Sequence, residues 1–530
     1  MQERYNSQTY AAIDIGTNSI HLVVAEVAEN GAIKILDSDK IILRLGDALN
    51  NNQCFDKKTI DNIIKSIKSL KQIAEIHKPI LRCVATHAVR EAKNNAELIA
   101  KTFKETGINI EIVDGLEEAR LISLGIKTAF PFEDKNFLSV DIGGGSTEFI
   151  IASKDEIEFA SSLKLGAVTL TKQILRQDKN YYENFTKLEN HINDHLMPLK
   201  NEIQGIKFHK AIASSGTAKS LAFIDIKLKN NKSSHQGIEG YILSEKSIEK
   251  IYKKLFTLKT VKKIRDEFTL DTNRAEIILA GCSILMGVTK LFSVKNWYVS
   301  TYGLREGLVI DTHQRQILNE LGSWTDVRWK NVKHLGKKFY IDEEHATRVL
   351  KLATNIFKQL EVLLNNHPPL IEYLDNQEIL EFAAWLHECG KYISFPKFQK
   401  HSQYIIQNSR LMGFTQREKE YISLVARFHR KGVATQSKAE CQQLEEEQVS
   451  KINYLSGILR IATILSRTRR DIIADIKICL RDNCLHFMIQ PAYEGVLPVV
   501  ELQRFIRKAK DIKKSLGVSY EIIAEFMNKD

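Results

Sequence analysis

LSVDIGGGSTEFIIAS, residues 138–153, is an apolar run that closes on an aspartate, turns through three glycines, and becomes apolar again after Ser146, Thr147 and Glu148. It reads as strand, tight turn, strand, which is a β-hairpin. Glycine permits positive φ and lets backbone N–H groups approach an anion with no Cβ in the way. Asp141 ends the first strand beside that turn. A carboxylate next to a phosphate is repelled unless a cation stands between them. The stretch therefore points to a site for an anion and a metal.

The hairpin has a twin. DIGTNSIHLVVA (14–25) aligns without a gap on DIGGGSTEFIIA (141–152), with Asp14 on Asp141, Gly16 on Gly143, Ser19 on Ser146 and Ala25 on Ala152. Two related hairpins in one chain suggest two similar lobes facing each other across a cleft, each offering one turn. A P-loop is excluded, because GxxxxGK[ST] is absent and the glycine turn leads into a strand, not a helix.

The rest of the chain sets bounds. Its 530 residues are too many for one core, so about three or four domains are expected. No apolar run approaches the roughly 20 residues of a membrane span, and the N-terminus has no secretory h-region. A cytoplasmic protein is expected. The seven cysteines form no CxxC pair and read as small core residues. The formal charge of +11 favours acidic partners. KSIEKIYKKLFTLKTVKKIR (246–265) carries eight Lys or Arg against one Glu, which is either a solvated helix face or a landing strip for a polyanion.

The paired loops resemble those of the acetate-kinase, sugar-kinase and actin superfamily. More closely, the chain resembles the exopolyphosphatase and guanosine pentaphosphate phosphohydrolase family. ATHAVREAKN (85–94), GLEEARLISLG (115–125), DIGGGSTE (141–148), ASSGTAKSLA (213–222) and STYGLREGLV (300–309) follow in family order. The resemblance implies an α/β fold with two actin-like, ribonuclease H-like lobes over 1–127 and 128–311. An all-α HD-like domain over 312–470 and a small α+β appendage over 471–530 would follow. It also implies Mg²⁺-dependent hydrolysis of a terminal phosphoanhydride, with a glutamate as general base on water. That glutamate maps to Glu118, with Glu117 as the fallback. Asp141 and Glu148 map to metal- and water-positioning carboxylates, and Asp14 is their match in the first lobe. Thr17, Asn18 and Ser19 form one phosphate loop, and Gly143, Gly144, Gly145, Ser146 and Thr147 the other. Arg90 offers a planar fork of donors for a terminal phosphate. Gly216 and Thr217 match a third loop, in which Ser215 replaces the first of two glycines. Arg305 is either an ion-pair partner or a ligand.

From roughly Val327 to Arg470 helical periodicity dominates. His345, His387, Glu388, His401 and His429 follow the order of an HD phosphohydrolase. Glu388 stands where that pattern has Asp, and Thr463 where a late Asp should be. This module is expected to have no catalysis of its own, to support a homodimer, and to line a basic channel with RFHRKG (427–432) and RTRR (467–470). The leading functional expectation is an exopolyphosphatase. Guanosine pentaphosphate hydrolysis in the same cleft is the alternative, and a non-catalytic polyphosphate or alarmone sensor is the alternative of another class. A sugar or acetate kinase is disfavoured by the incomplete third loop. Neither a specific nucleic-acid partner nor a membrane span is expected.

Overall fold

The computed structural model describes residues 8–527, apart from 29–31, 50–51, 131–134, 154–156, 177–180, 230–237, 322–325, 365–375, 410, 412–413 and 443. The chain forms two compact units, Met1–Trp324 and Thr325–Asp530. No helix among the described residues is long and apolar enough to cross a membrane.

The first unit contains the hairpin repeat twice over. Strands β1 (Gln8–Ile15), β2 (Ser19–Val27), β3 (Ile33–Ile42), β4 (Ile80–Ala85) and β5 (Ile110–Ile112) form one sheet in the order β3-β2-β1-β4-β5. Strands β6 (Phe137–Ile142), β7 (Thr147–Ala152), β8 (Ile157–Leu163), β9 (Lys210–Ser214), β10 (Ile242–Ser244) and β11 (Asn296–Val299) form the other, in the order β10-β11-β9-β6-β7-β8. Read from β8, the second sheet repeats the first and adds β10 at one edge. The pairing repeats as well: β1 is antiparallel to β2 and parallel to β4, and β6 is antiparallel to β7 and parallel to β9. This is the two-lobed, actin-like α/β arrangement.

Both hairpins close in the same register. Asp14 lies opposite His21 and Asp141 opposite Glu148. Each turn is pinned by one backbone bond, Gly16 N–H to Ser19 O at 3.1 Å and Gly143 N–H to Ser146 O at 2.9 Å. The central strands are apolar on both faces because both faces are covered. Ala11, Ile13 and Ile15 pack against the Lys57–Glu75 helix, while Tyr10 and Ala12 pack against the Leu304–Leu321 helix. In the second lobe, Phe137 and Ile150 meet Ala119, Ile122 and Ile126 of the Gly115–Ala129 helix. Two helices thus lie between the sheets. They cross where a Cβ on Gly307 would overlap the Leu121 carbonyl oxygen, and one on Gly125 would stand 3.0 Å from Gly307 N. Asp311 fastens this layer. Its carboxylate accepts from Arg82 at 2.7 Å, Arg120 at 2.6 Å and Arg315 at 2.8 Å, all buried.

The 304–311 segment assigned to the second lobe therefore packs on the first, since Leu308, Val309 and Ile310 share a core with Tyr10 and Val23. The basic stretch 246–265 folds into the amphipathic helices Glu245–Leu258 and Val261–Phe268, which bury Ile248, Ile251, Leu255, Ile264 and Phe268 and leave most of the lysines exposed.

The second unit is helical through Glu446–Leu465 and ends in β12 (Ile473–Arg481), β13 (Cys484–Pro491), the Val499–Leu516 helix and β14 (Glu521–Phe526), with sheet order β12-β13-β14. Phe487, Phe505 and Leu516 of this tail share one core with Phe382, Leu455 and Ile458. The α+β tail is thus part of the helical domain's core and not a separate appendage.

Candidate active site

A cleft of about 660 Å³ opens where the two hairpin turns face each other. Its wall carries Asp14, Thr17, Asn18 and Ser19 from the first lobe, Asp141, Gly143, Gly144, Gly145 and Ser146 from the second, and Gly216 and Thr217 from the third loop. Glu118 also faces it. Asp114 caps the Gly115–Ala129 helix by accepting from Leu116 N at 3.0 Å and Glu117 N at 2.9 Å, which fixes Glu118 in the first turn.

Adjacent glutamates on a helix point in different directions, and here the two part company. Arg120 clamps both oxygens of Glu117, at 2.7 and 2.8 Å, within the buried Asp311 network. The fallback Glu117 is therefore held away from the cleft. Three other assigned residues also do not line it. Arg90 donates to the Val113 carbonyl at 2.6 Å and to Glu118 at 3.3 Å, so it braces Glu118 and does not reach into the cleft. The Thr147 hydroxyl turns to Leu165 O. Glu148 is buried behind Ser146 and accepts from Ser162 at 2.8 Å.

Close approach, and not positive φ, is what requires the glycines. None of Gly143, Gly144 and Gly145 has positive φ. They are needed because the two turns nearly touch. A Cβ on Gly144 would stand 3.1 Å from Thr17 Cβ, and one on Gly145 would stand 2.7 Å from Thr17 Oγ1 and overlap the His87 ring. The turn carbonyls are occupied: Gly143 O by Ala167 N–H, Gly144 O by Val168 N–H, Thr17 O by Gly46 N–H and Asn18 O by Arg44 N–H. The left-handed residue is in the third loop, where Ser215 adopts φ +78 and its hydroxyl donates to Ile142 O at 2.7 Å. A non-glycine residue in that region costs on the order of 1 kcal/mol, and the hydroxyl bond offsets part of this.

The electrostatics are unbalanced in two ways. Burial pushes the Asp14 carboxyl up to about 7, and the Asp141 charge adds to the shift. Burial pushes Glu148 up to about 7, again with Asp141, against hydrogen bonds from Ser146 and Ser162. Glu118 is raised well above the carboxylate range by burial and then by Glu148, with Arg90 opposing. Asp141 is raised by burial despite the 2.6 Å bond from Ser214. Asp14 Oδ1 is buried and has no hydrogen-bond partner. Lys40, Lys219 and Arg274 line the same cleft, and burial drives the pKa of each down. Arg305 joins them and, after burial, holds His21 down to about 3. The cleft has carboxylates short of a cation and cations short of an anion.

These carboxylates do not converge closely enough to form an all-protein cage. Among the described residues, the only group of three metal-ligand types with ligand atoms within 4.8 Å of one another lies in the second unit. Mg²⁺ suits the looser arrangement, since it binds through one or two carboxylates, waters and substrate phosphates. Asp14, with its orphaned oxygen, and Asp141 are the residues that would hold it.

Sequence reading missed Lys40, His87, Lys219 and Arg274. Lys219 carried a weak signal, one turn beyond the third loop in ASSGTAKSLA. Arg274 sits in the first turn of the Thr272–Phe292 helix, capped by Asp271, and only the fold brings it to Gly216, whose absent Cβ leaves room for the Arg274 guanidinium.

Residues 23–316 match the Ppx/GppA phosphatase family, and residues 327–503 match domain III of Ppx/GppA phosphatases. Among solved structures, the chain is similar to an exopolyphosphatase from Cytophaga hutchinsonii at 29% identity and TM-score 0.53, over 57% of this chain and 97% of that one. It is also similar to the Aquifex aeolicus member of the Ppx/GppA family at 25% identity and TM-score 0.51, over 58% and 99% of the two chains.

Proposed function

Because this chain belongs to the Ppx/GppA phosphatase family, we propose that it hydrolyses the terminal phosphoanhydride of inorganic polyphosphate with Mg²⁺. One observation carries this reading. Buried carboxylates that want a cation and buried cations that want an anion share one cleft, and a magnesium-bound phosphate chain supplies both. The cation, when bound, neutralises charge between Asp14, Asp141 and the phosphate oxygens.

Glu118 takes a proton from the attacking water. The water oxygen bonds to the terminal phosphorus, the bridging P–O bond breaks, and the electron pair leaves with the shortened chain. Glu118 suits the task because burial and Glu148 raise its basicity, while Arg90 fixes its orientation. Thr17, Asn18, Gly144 and Gly145 offer backbone N–H groups that no described protein group accepts, and Lys219, Arg274 and Arg305 offer charge for further phosphates.

Guanosine pentaphosphate hydrolysis in the same cleft is the second reading. The wall disfavours it, since its large apolar side chains are only Ile122, Ile142, Ile277, Leu304 and Tyr302, and Arg274 occupies the space over Gly216. The test is phosphate release from long-chain polyphosphate and from guanosine pentaphosphate, side by side with Mg²⁺. Faster turnover of the nucleotide would replace the first reading with the second, and release from neither would favour a sensor.

A further inference from the structure

We propose that the second unit holds a single divalent transition-metal ion between His345, His387 and Glu388, a site independent of the phosphate cleft. His345 sits in the first turn of the Glu343–Leu364 helix, where Asp342 accepts from its backbone N–H at 2.9 Å. His387 and Glu388 follow the end of the Asn376–Leu386 helix. The ligand atoms of all three lie within 4.8 Å of one another. His345 Nε2 and His387 Nε2 are 3.8 and 3.9 Å from Glu388 Oε1.

The far side of each ring is already engaged. His387 Nδ1 is 2.7 Å from the Ala384 carbonyl. A carbonyl only accepts, so in the neutral ring the proton is on Nδ1 and Nε2 carries the lone pair. That Nε2 is buried and has no hydrogen-bond partner, which is costly for a polar atom. His345 Nδ1 lies 3.1 Å from the Ser466 hydroxyl. Imidazoles braced on the far nitrogen by a carbonyl or hydroxyl, with the near nitrogen open, are the form in which histidine binds metals. Ligand atoms around a tetrahedral ion with bonds near 2.0–2.1 Å stand roughly 3.4 Å apart, so the two His–Glu separations are within about half an ångström of that spacing and the third, held within 4.8 Å, is brought to it by side-chain rotation. Two imidazoles and one carboxylate select a zinc-class ion over Mg²⁺.

Glu388 is also paired with Lys391 and with Arg469, the latter at 2.6 Å. Arg469, on the other carboxylate oxygen, keeps a positive charge beside Glu388 that disfavours a second metal, so the site takes one ion. Lys391 pairs with Oε1, the oxygen that faces both imidazoles, while its ammonium lies 5.1 Å from the Phe398 ring centroid, so it has to release that oxygen when the ion binds. His429 stands edge-on to His387 and forms a wall of the site. Thr463, which donates to Arg460 O, and His401 lie outside the group.

The experiment uses the full chain, stripped with a chelator and titrated with Co²⁺ in excess Mg²⁺ while its visible d–d absorption is read. The wild type should take one equivalent with an absorption band. His345→Gln should weaken that binding by about 100-fold and Ser466→Ala by about tenfold. The stacked His191–His195 pair, with ring centroids 4.3 Å apart, could also take cobalt, so His191→Gln is the control, and it should leave the band unchanged. Asp141→Asn should do the same for the cleft. The proposal is overturned if the wild type shows no band, if the band is lost only in His191→Gln or Asp141→Asn, or if Ser466→Ala binds as the wild type does. Because Ser466→Ala removes one hydroxyl, it decides the matter even if His345→Gln fails to fold.

Discussion

Glu148→Gln should give a protein that is more stable and less active. Folding moves the Glu148 carboxyl from 4.5 up to about 7. At about 1.4 kcal/mol per unit, ionising it in the folded state costs on the order of 3 kcal/mol. A carboxyl whose folded pKa is raised binds its proton more tightly in the native state. Its native environment is therefore tolerated in full below about pH 4.5, and stability is lost as the pH climbs towards 7. Glutamine keeps an acceptor for the 2.8 Å bond from Ser162 and cannot ionise. The assay is calorimetric unfolding with chelator present, at pH 4 and pH 8. At pH 8 the variant's first-unit transition should lie roughly 5 °C above wild type, and at pH 4 the two should coincide. Mg²⁺ should raise the transition of both proteins through binding, since Asp14 and Asp141 are present in each. In turnover assays the acid limb of the rate profile should move to lower pH, because the Glu148 charge helps to hold Glu118 up. Equal or lower stability at pH 8, or a difference that persists at pH 4, refutes the account of an uncompensated carboxylate cluster.

Glu118→Gln should lower phosphate release by about two to four orders of magnitude while polyphosphate binding is kept; a variant with more than about a tenth of wild-type activity would show that Glu118 is not the base. Gly145→Ala should be destabilised by about 1–3 kcal/mol through overpacking against Thr17 and His87, and His87→Ala in the same chain should restore part of the loss measured by denaturant unfolding; no rescue would mean that the loops do not meet there. Arg274→Ala should weaken binding of long polyphosphate and flatten the log–log salt slope by about one unit, whereas an unchanged slope in filter binding would remove Arg274 from the anion site.

The hairpin repeat made the two-lobed fold legible, because an Asp-Gly turn between apolar strands is a local signal and its duplication is a statement about symmetry. Asp14, Asp141 and the loop residues were legible for the same reason. The family motif put Glu118 ahead of Glu117, and the fold supplies the physical reason: both are buried, but Arg120 clamps Glu117 while Glu118 faces the cleft. Arg90 and Glu148 were read as direct ligands, yet they stand behind Glu118 and Ser146. A motif records which residues are required, not how far they lie from the reacting atoms. Of the cationic wall only Arg305 was singled out; Lys40, Lys219 and Arg274 were hidden because they come from three separate elements, none of which forms a charge run. The conspicuous charge run, 246–265, folded into amphipathic helices that do not line the cleft. The C-terminal strands read as an appendage because sequence order gives no hint that Phe487 and Phe505 fill the core of the helices before them.

The glycine crossing between the two central helices acts as a gauge block. Gly307 rests on the Leu121 carbonyl, one helical turn from Glu118, and Arg305 lies two residues before Gly307. A methyl group at either crossing position would pry the helices apart. The displacement would appear in the cleft as an altered distance between the proposed base and the opposite wall. A misplacement of about 1 Å can cost on the order of 100-fold in rate. The tolerance of the chemistry is thus machined into two missing carbon atoms at a crossing that does not line the cleft.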